Sequence, residues 1–261
     1  MSGAGGVLAL FLIEWTAGWA GAAAWTQNWK AVTRGHFRIT AWIVAALAVL
    51  AAMADNSAVE SGSGLRTGAV MMMAVAGIVY LVCQYVSSDL AGVVSGSAVA
   101  LAGGAVLVMS GDLIDGWEPV VAAIALLSGA VFFGAVTNGM MLGHWYLNQP
   151  GLKPWALARL TQLAMAGVVA SGIVGIISAP KLMDATTRGA VLGLPGFGED
   201  FGFYFFFVWA VLLTFSAAVI WMARRCVNIR SIQSATGLYY VAILTAGVSE
   251  FLLRYLMVNA A

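Results

Sequence analysis

The sequence predicts an all-α integral membrane bundle of about eight transmembrane helices, one domain over residues 1–261, and three observations carry that prediction. Hydrophobic residues make up 62% of the chain and charged residues 9%, with a mean hydropathy of +0.93. A soluble domain needs about a quarter of its residues charged. Eight apolar runs approach or exceed the ~17–20 residues that cross about 30 Å of hydrocarbon at 1.5 Å per residue. No run alternates apolar and polar residues with period two, as a lipid-facing barrel strand does.

The runs fall at 5–25, 39–54, 68–86, 91–110, 119–142, 160–179, 203–223 and 235–258, and the second is short. The first carries Glu14 and has no basic segment before it, so it reads as a retained span and not a cleaved signal. The fifth leads into 132–155, FFGAVTNGMMLGHWYLNQPGLKPW, the stretch with the densest polar chemistry. There an apolar, Gly-rich helix passes Asn138 and reaches His144, Trp145 and Tyr146 before Asn148-Gln149-Pro150-Gly151 breaks it. Trp and Tyr favour the headgroup level and Pro-Gly stops a helix in water, so this is a helix leaving a bilayer. The 31 glycines recur within spans, as at Gly92 and Gly96 or Gly139 and Gly143, where they let helix backbones approach closely. The two halves, spans one to four and five to eight, match in count only.

Orientation follows from the loops. On one side stand Lys30, Arg34, Arg38, Lys153, Arg159, Arg224, Arg225 and Arg230, with Asp89 as the acid. On the other stand Asp55, Glu60, Asp112, Asp115, Glu118, Asp184, Glu199 and Asp200, against Arg66, Lys181 and Arg188. The positive-inside rule makes the first side cytoplasmic and both termini extracytoplasmic, in a bacterial cytoplasmic (inner) membrane. The long outer loop 180–202, with LGLPGFGED before an aromatic run, is the candidate docking surface for an extracytoplasmic partner.

A net charge of +1 gives no basic field for nucleic acid, and DNA and RNA binding are excluded. Cys83 and Cys226 have neither the spacing nor the context of a disulfide or a CxxC site. Phosphate-binding, hydrolase and zinc-protease motifs are missing from the sequence.

Setting the loops aside leaves Glu14, Glu250 and Arg254 as the charges inside spans. Each costs about 2.5–3.5 kcal/mol near mid-bilayer on the insertion scale, so such residues usually face the bundle interior with a partner. Glu250 and Arg254 lie one turn apart and can pair on one helix face. Glu14 has no local partner, so it either holds a proton or pairs across helices with a residue such as Arg254. His144, Tyr146 and Asn148, with Asn138 about a turn and a half deeper, form a candidate headgroup-level site for a quinone or lipid, because a quinone carbonyl needs a donor and a proton relay. His36 sits in the first basic loop. A haem b between His36 and His144 is disfavoured, since haem ligands of membrane cytochromes usually stand within spans.

Eight spans with both termini outside, and a last span reading YVAILTAGVSEFLLRYLMV with Glu250 and Arg254, resemble the DmsC and NrfD class of polytopic membrane anchors of molybdopterin oxidoreductases. The resemblance covers the topology and the last 20 residues or so. It implies a haem-free bundle that binds menaquinone or ubiquinone and passes electrons to an iron-sulfur subunit outside. The chain departs from that class in having no histidine in the early spans. RSIQSATGLYYVA and GHWYLNQPG also resemble uncharacterised bacterial eight-span membrane proteins. The expected function is therefore a membrane subunit of a respiratory or photosynthetic electron-transfer complex, with membrane lipid and other subunits as partners. The alternatives are a proton-coupled small-solute transporter, with Glu14 cycling its proton, and a purely structural accessory subunit.

Overall fold

The computed structural model describes residues 3–58, 64–86, 88–149, 151–184 and 201–259. These residues are all-helical: α1 (Gly3–Asn28), α2 (Arg34–Ala58), α3 (Gly64–Cys83), α4 (Asp89–Ser110), α5 (Pro119–Asn148), α6 (Trp155–Ile177), the short α7 (Ala179–Met183), α8 (Phe201–Asn228) and α9 (Ile232–Asn259). All but α7 are long and apolar enough to cross a membrane. The second span is not short: α2 runs 25 residues, because the polar ends that hydropathy trims away, Arg34 to Arg38 and Asp55 to Ala58, are helical too.

Local chemistry sets several ends. Glu118 caps α5 by accepting from Val121 N at 2.8 Å, and Pro119 occupies the first turn, where its missing N–H leaves nothing unmade. Ser88 caps α4 through Ala91 N at 3.3 Å. The break predicted after Asn148 is present, with Gln149 as cap and Gly151 at φ +88°, a left-handed conformation suited to glycine. Lys30 and Arg230 adopt positive φ, 51° and 60°, in the turns after α1 and α8.

The helices pack as two four-membered rings. In the first, α1 packs on α2 and α4, and α3 closes the ring between them; in the second, α5 packs on α6 and α9, and α8 closes it. The rings join chiefly through α1 against α5, with smaller seams of α4 on α5 and α1 on α9. The halves thus share a packing plan, which aligning their residues did not show. At the main seam Gly18 and Gly134 bring α1 and α5 into backbone contact: a Cβ on Gly134 would lie 2.1 Å from the Gly18 carbonyl carbon, and one on Gly18 would run into the Ala130 carbonyl oxygen. Outward-facing apolar residues such as Leu101 (74% exposed) suit hydrocarbon and would be untenable as a row in water.

Charge placement corrects the sequence reading at one site. Asp55 and Arg66 belong to α2 and α3 and not to an outer loop, and both are buried. Their two carboxylate and two guanidinium contacts, at 2.6 and 2.8 Å, form a bidentate pair. Arg66 also donates to Ser110 Oγ at 3.2 Å, so one charge network ties α2, α3 and α4 together at the end where Asp55 sits.

Gly134→Ala is expected to destabilise the bundle by about 3 kcal/mol or more, since the clash is with backbone that cannot move aside. Gly237→Ala, where an added Cβ meets nothing within 4 Å, should be neutral or slightly stabilising. Thermal unfolding of the two variants in detergent checks the contrast.

Candidate functional site

Glu14, Glu250 and Arg254 meet in the interior, exposed by 1%, 0% and 0%. Arg254 Nε lies 2.6 Å from Glu14 Oε1, and its Nη2 donates to Glu250 Oε2 at 2.9 Å and to the Ala125 carbonyl at 2.9 Å. Nη1 points at Met257 Sδ, 2.8 Å away. Ser171 Oγ donates to Glu250 Oε1 at 2.9 Å. The Glu14 contact is an ion pair off the line of a hydrogen bond, so neither Glu14 oxygen has a hydrogen-bond donor. Four helices supply the cluster: α1 from the first ring, and α5, α6 and α9 from the second.

The sequence named the three charged residues but not their supports. Ser171 gives no signal in an apolar span. Gly129 is needed because a Cβ there would stand 2.3 Å from Arg254 Nη2 and 2.4 Å from Glu250 Oε2. In a chain so rich in glycine, that requirement is invisible without the fold.

An aromatic group flanks the cluster. Phe11 stacks on Phe133 at 5.3 Å and meets Phe251 edge-on at 5.7 Å, while Trp15 lies 5.0 Å from Phe133 and donates to Thr137 Oγ1 at 3.1 Å. Phe251 is exposed and Phe11 and Trp15 are half-buried, so the group reaches the outer surface of the α1, α5 and α9 seam. On the α1 face one turn from Glu14 begins an apolar groove of ≈510 Å³ between α4 and α5, floored by Ala17, Gly18 and Gly21 and reaching Trp25.

The stretch around His144 is not one site. Asn138 is buried and donates to Ala22 O at 3.1 Å and Thr26 Oγ1 at 2.8 Å. His144 is exposed, with Nδ1 3.0 Å from the Tyr240 hydroxyl. Tyr146 turns to the opposite side and donates to the Lys153 carbonyl at 2.6 Å, and Asn148 donates to its own helix at His144 O, 3.1 Å. Residues two apart on a helix diverge by about 200°, so His144 and Tyr146 cannot share a face. These contacts anchor the end of α5.

His36 is corrected as well. It is not a loop residue but the third residue of α2, fully buried, so the early spans do contain a histidine. Its ring meets Phe37 at 4.9 Å and Trp145 at 5.9 Å, both edge-on. Asn138 is the polar side chain beside it, yet both ring nitrogens and Asn138 Oδ1 lack a hydrogen bond of normal geometry, as does Thr40 Oγ1 one turn along α2. Each such buried group costs about 1–3 kcal/mol when left unmade. His36 and His144 engage different neighbours, Trp145 and Tyr240. Among the described residues no three His, Cys, Asp or Glu side chains gather to hold a metal ion. Of the candidate docking loop, residues 185–200 lie outside the described residues.

No family model matches the chain, and no curated protein or solved structure matches it.

Removing Arg254 strands two buried carboxylates, whereas removing the charge of Glu14 leaves Arg254 with Glu250, Ala125 O and a neutral cluster. Arg254→Leu is expected to cost about 3–5 kcal/mol and Glu14→Gln much less. Denaturant unfolding of both variants, with the double variant to expose their coupling, checks the ranking.

Proposed function

We propose that the chain is a haem-free membrane subunit of an electron-transfer complex, in a bacterial inner membrane with both termini extracytoplasmic, and that the Glu14–Arg254–Glu250 cluster handles a proton exchanged with a membrane quinone. The observation that carries this reading is the charge count of the cluster: two carboxylates face one guanidinium in an interior that disfavours net charge. Taking up one proton neutralises the cluster, and losing it leaves a carboxylate held beside Arg254. Reduction of a quinone to its hydroquinone consumes two electrons and two protons, so an inducible proton donor at membrane depth is what such a reaction needs. The half-exposed rings of Phe11, Trp15 and Phe251 suit the flat face of a quinone ring. The apolar groove beginning one turn from Glu14 suits an isoprenoid chain. A resemblance to the DmsC and NrfD class agrees with this assignment, and an iron-sulfur protein docked on the outer face is the partner it implies.

A second reading, a proton-coupled solute transporter, is favoured by one specific observation. Glu14 belongs to one four-helix ring and Arg254 with Glu250 to the other, so protonation would loosen the seam between two halves that could rock against each other.

Gentle detergent extraction from native membranes separates the two. Redox subunits and extractable quinone purifying with the chain, together with quinone-linked turnover that falls at least about tenfold in Glu14→Gln, the scale of a general acid–base contribution, are the expected results. A lone, quinone-free chain that accumulates a solute in proteoliposomes would sink the electron-transfer reading and establish the transporter.

A further inference from the structure

The apolar groove that begins one turn from Glu14 has a second end, where the chemistry changes. Its lining side chains are Ala, Gly, Val, Leu and Trp, and it runs along α1 from Ala17 to Trp25 between α4 and α5, with Leu163 of α6 at its side. Its ≈510 Å³ falls within the roughly 300–1,000 Å³ of pockets that hold small ligands. Gly18, Gly21 and Gly104 line a slot that no side chain of the protein fills.

Past Trp25 the apolar lining gives way to a ladder of rings that ends in a cation. Trp25 meets Trp29 edge-on at 4.4 Å, and Trp29 lies 5.3 Å from Trp155. The Arg159 guanidinium carbon stands 4.8 Å over the Trp155 ring and 5.5 Å over that of Trp29. Arg159 precedes Leu163 by one turn of α6, so it shares the helix face that lines the groove and lies about 6 Å nearer the end where α6 begins. A ring contact occupies a face of the guanidinium, leaving the N–H donors in its plane, and it does not neutralise the charge. Arg159 is exposed, and among the described residues no carboxylate stands within ion-pair distance of it, whereas Arg34, Arg66 and Arg254 each pair with an acid.

We propose that the groove and Arg159 form one binding site for an anionic phospholipid, with an acyl chain lying along α1 and the headgroup phosphate on the guanidinium. Three features select this occupant. The groove offers hydrocarbon to a hydrocarbon chain; the tryptophans beyond it are of the type that favours the headgroup level; and a guanidinium steadied by rings, with its N–H edges free, is a bidentate phosphate ligand. The positive-inside rule puts this end at the cytoplasmic face, where basic pockets between helices bind anionic headgroups. A zwitterionic lipid brings its own cation to the site, and a quinone brings no phosphate. The inference does not rest on the quinone reading: the cation stands at the end of the groove away from Glu14, and a quinone chain would take the groove only by displacing the lipid's.

Native mass spectrometry tests the site on the full chain, delipidated in detergent and offered equal amounts of phosphatidylglycerol and phosphatidylcholine with the same acyl chains. The expected result is a preference for phosphatidylglycerol of at least about fivefold in the first lipid bound, the contribution of one basic residue at an anionic surface. Arg159→Gln should bring that ratio close to one while a lipid still binds. Gly104→Leu should abolish retention of both lipids, since a Cβ there meets only Leu127 Cδ2, at 3.9 Å, and the rest of the side chain has the groove to enter; thermal unfolding in detergent checks that this variant is folded. Equal binding of the two lipids by the unsubstituted protein overturns the site with no variant needed, and so does a preference that survives Arg159→Gln. Quinone retained in place of phospholipid would assign the groove to an isoprenoid chain, and a dimer that Gly104→Leu separates would assign it to a second copy of the chain; either result overturns the proposal. Purification without quinone or redox partners defeats the electron-transfer reading and leaves these lipid ratios as they are.

Discussion

Arg254 is the constraint around which the second ring and its junction with the first are arranged. A guanidinium carries five N–H donors and a charge it does not lose, so in an apolar interior it must be surrounded by acceptors. Glu250 comes from its own helix, the Ala125 carbonyl from α5 and Glu14 from α1. That need fixes the rotation of α9, requires glycine at position 129, and draws α1 of the first ring against the second. Trp117 adds to it by donating to Met257 O at 3.1 Å, which clamps the end of α9 beneath the turn between α4 and α5. The Asp55–Arg66 pair plays the same part within the first ring, joining α2, α3 and α4.

Buried ion pairs are seldom a net source of stability, because the desolvation of both charges offsets their attraction. Their presence in two places therefore calls for a different explanation in each. Asp55–Arg66 is one acid against one base, bidentate and hydrogen-bonded to Ser110, a closed arrangement that specifies how three helices meet. The cluster at Arg254 is unequal, two acids against one base, and neither Glu14 oxygen accepts a hydrogen bond. A structural tie has no use for the extra carboxylate. That inequality distinguishes the Arg254 cluster from the matched Asp55–Arg66 pair, and the proposed proton exchange rests on it.

Hydropathy made the helices legible, since each span needs only length and apolar content. Their packing was not legible, because in a lipid-solvated chain apolar residues face outward as readily as inward and leave no amphipathic stripe to read. Glu14, Glu250 and Arg254 were found by being charged inside apolar runs. Asp55, Arg66 and His36 were missed by the same criterion: they stand in the polar first or last turns of helices, where sequence alone cannot separate a buried end from a loop. The stretch around His144 drew attention through its density of polar residues. Helical geometry then distributed those residues over different faces, and each found a local anchoring partner.

The polar groups that remain are sorted by chemistry along the bundle. The buried charges, Glu14, Glu250, Arg254, Asp55 and Arg66, cluster toward the end where α2 finishes and α9 terminates. Toward the opposite end the buried polar contacts are neutral: Gln27 and Gln84 exchange amide bonds at 3.1 and 3.0 Å, Tyr239 donates to Thr161 at 2.9 Å, and Asn138 binds Thr26. Neutral hydrogen-bonding groups are far cheaper to desolvate than ions, so that end can be closed tightly with polar side chains inside it. Between the two, the bond from Trp15 to Thr137 is a polar contact on the α1–α5 seam, adjacent in sequence to both Glu14 and Asn138. The backbones of that seam meet at Gly18 and Gly134, so a change in charge at Glu14 is borne by the same two helices that hold Asn138 beside His36.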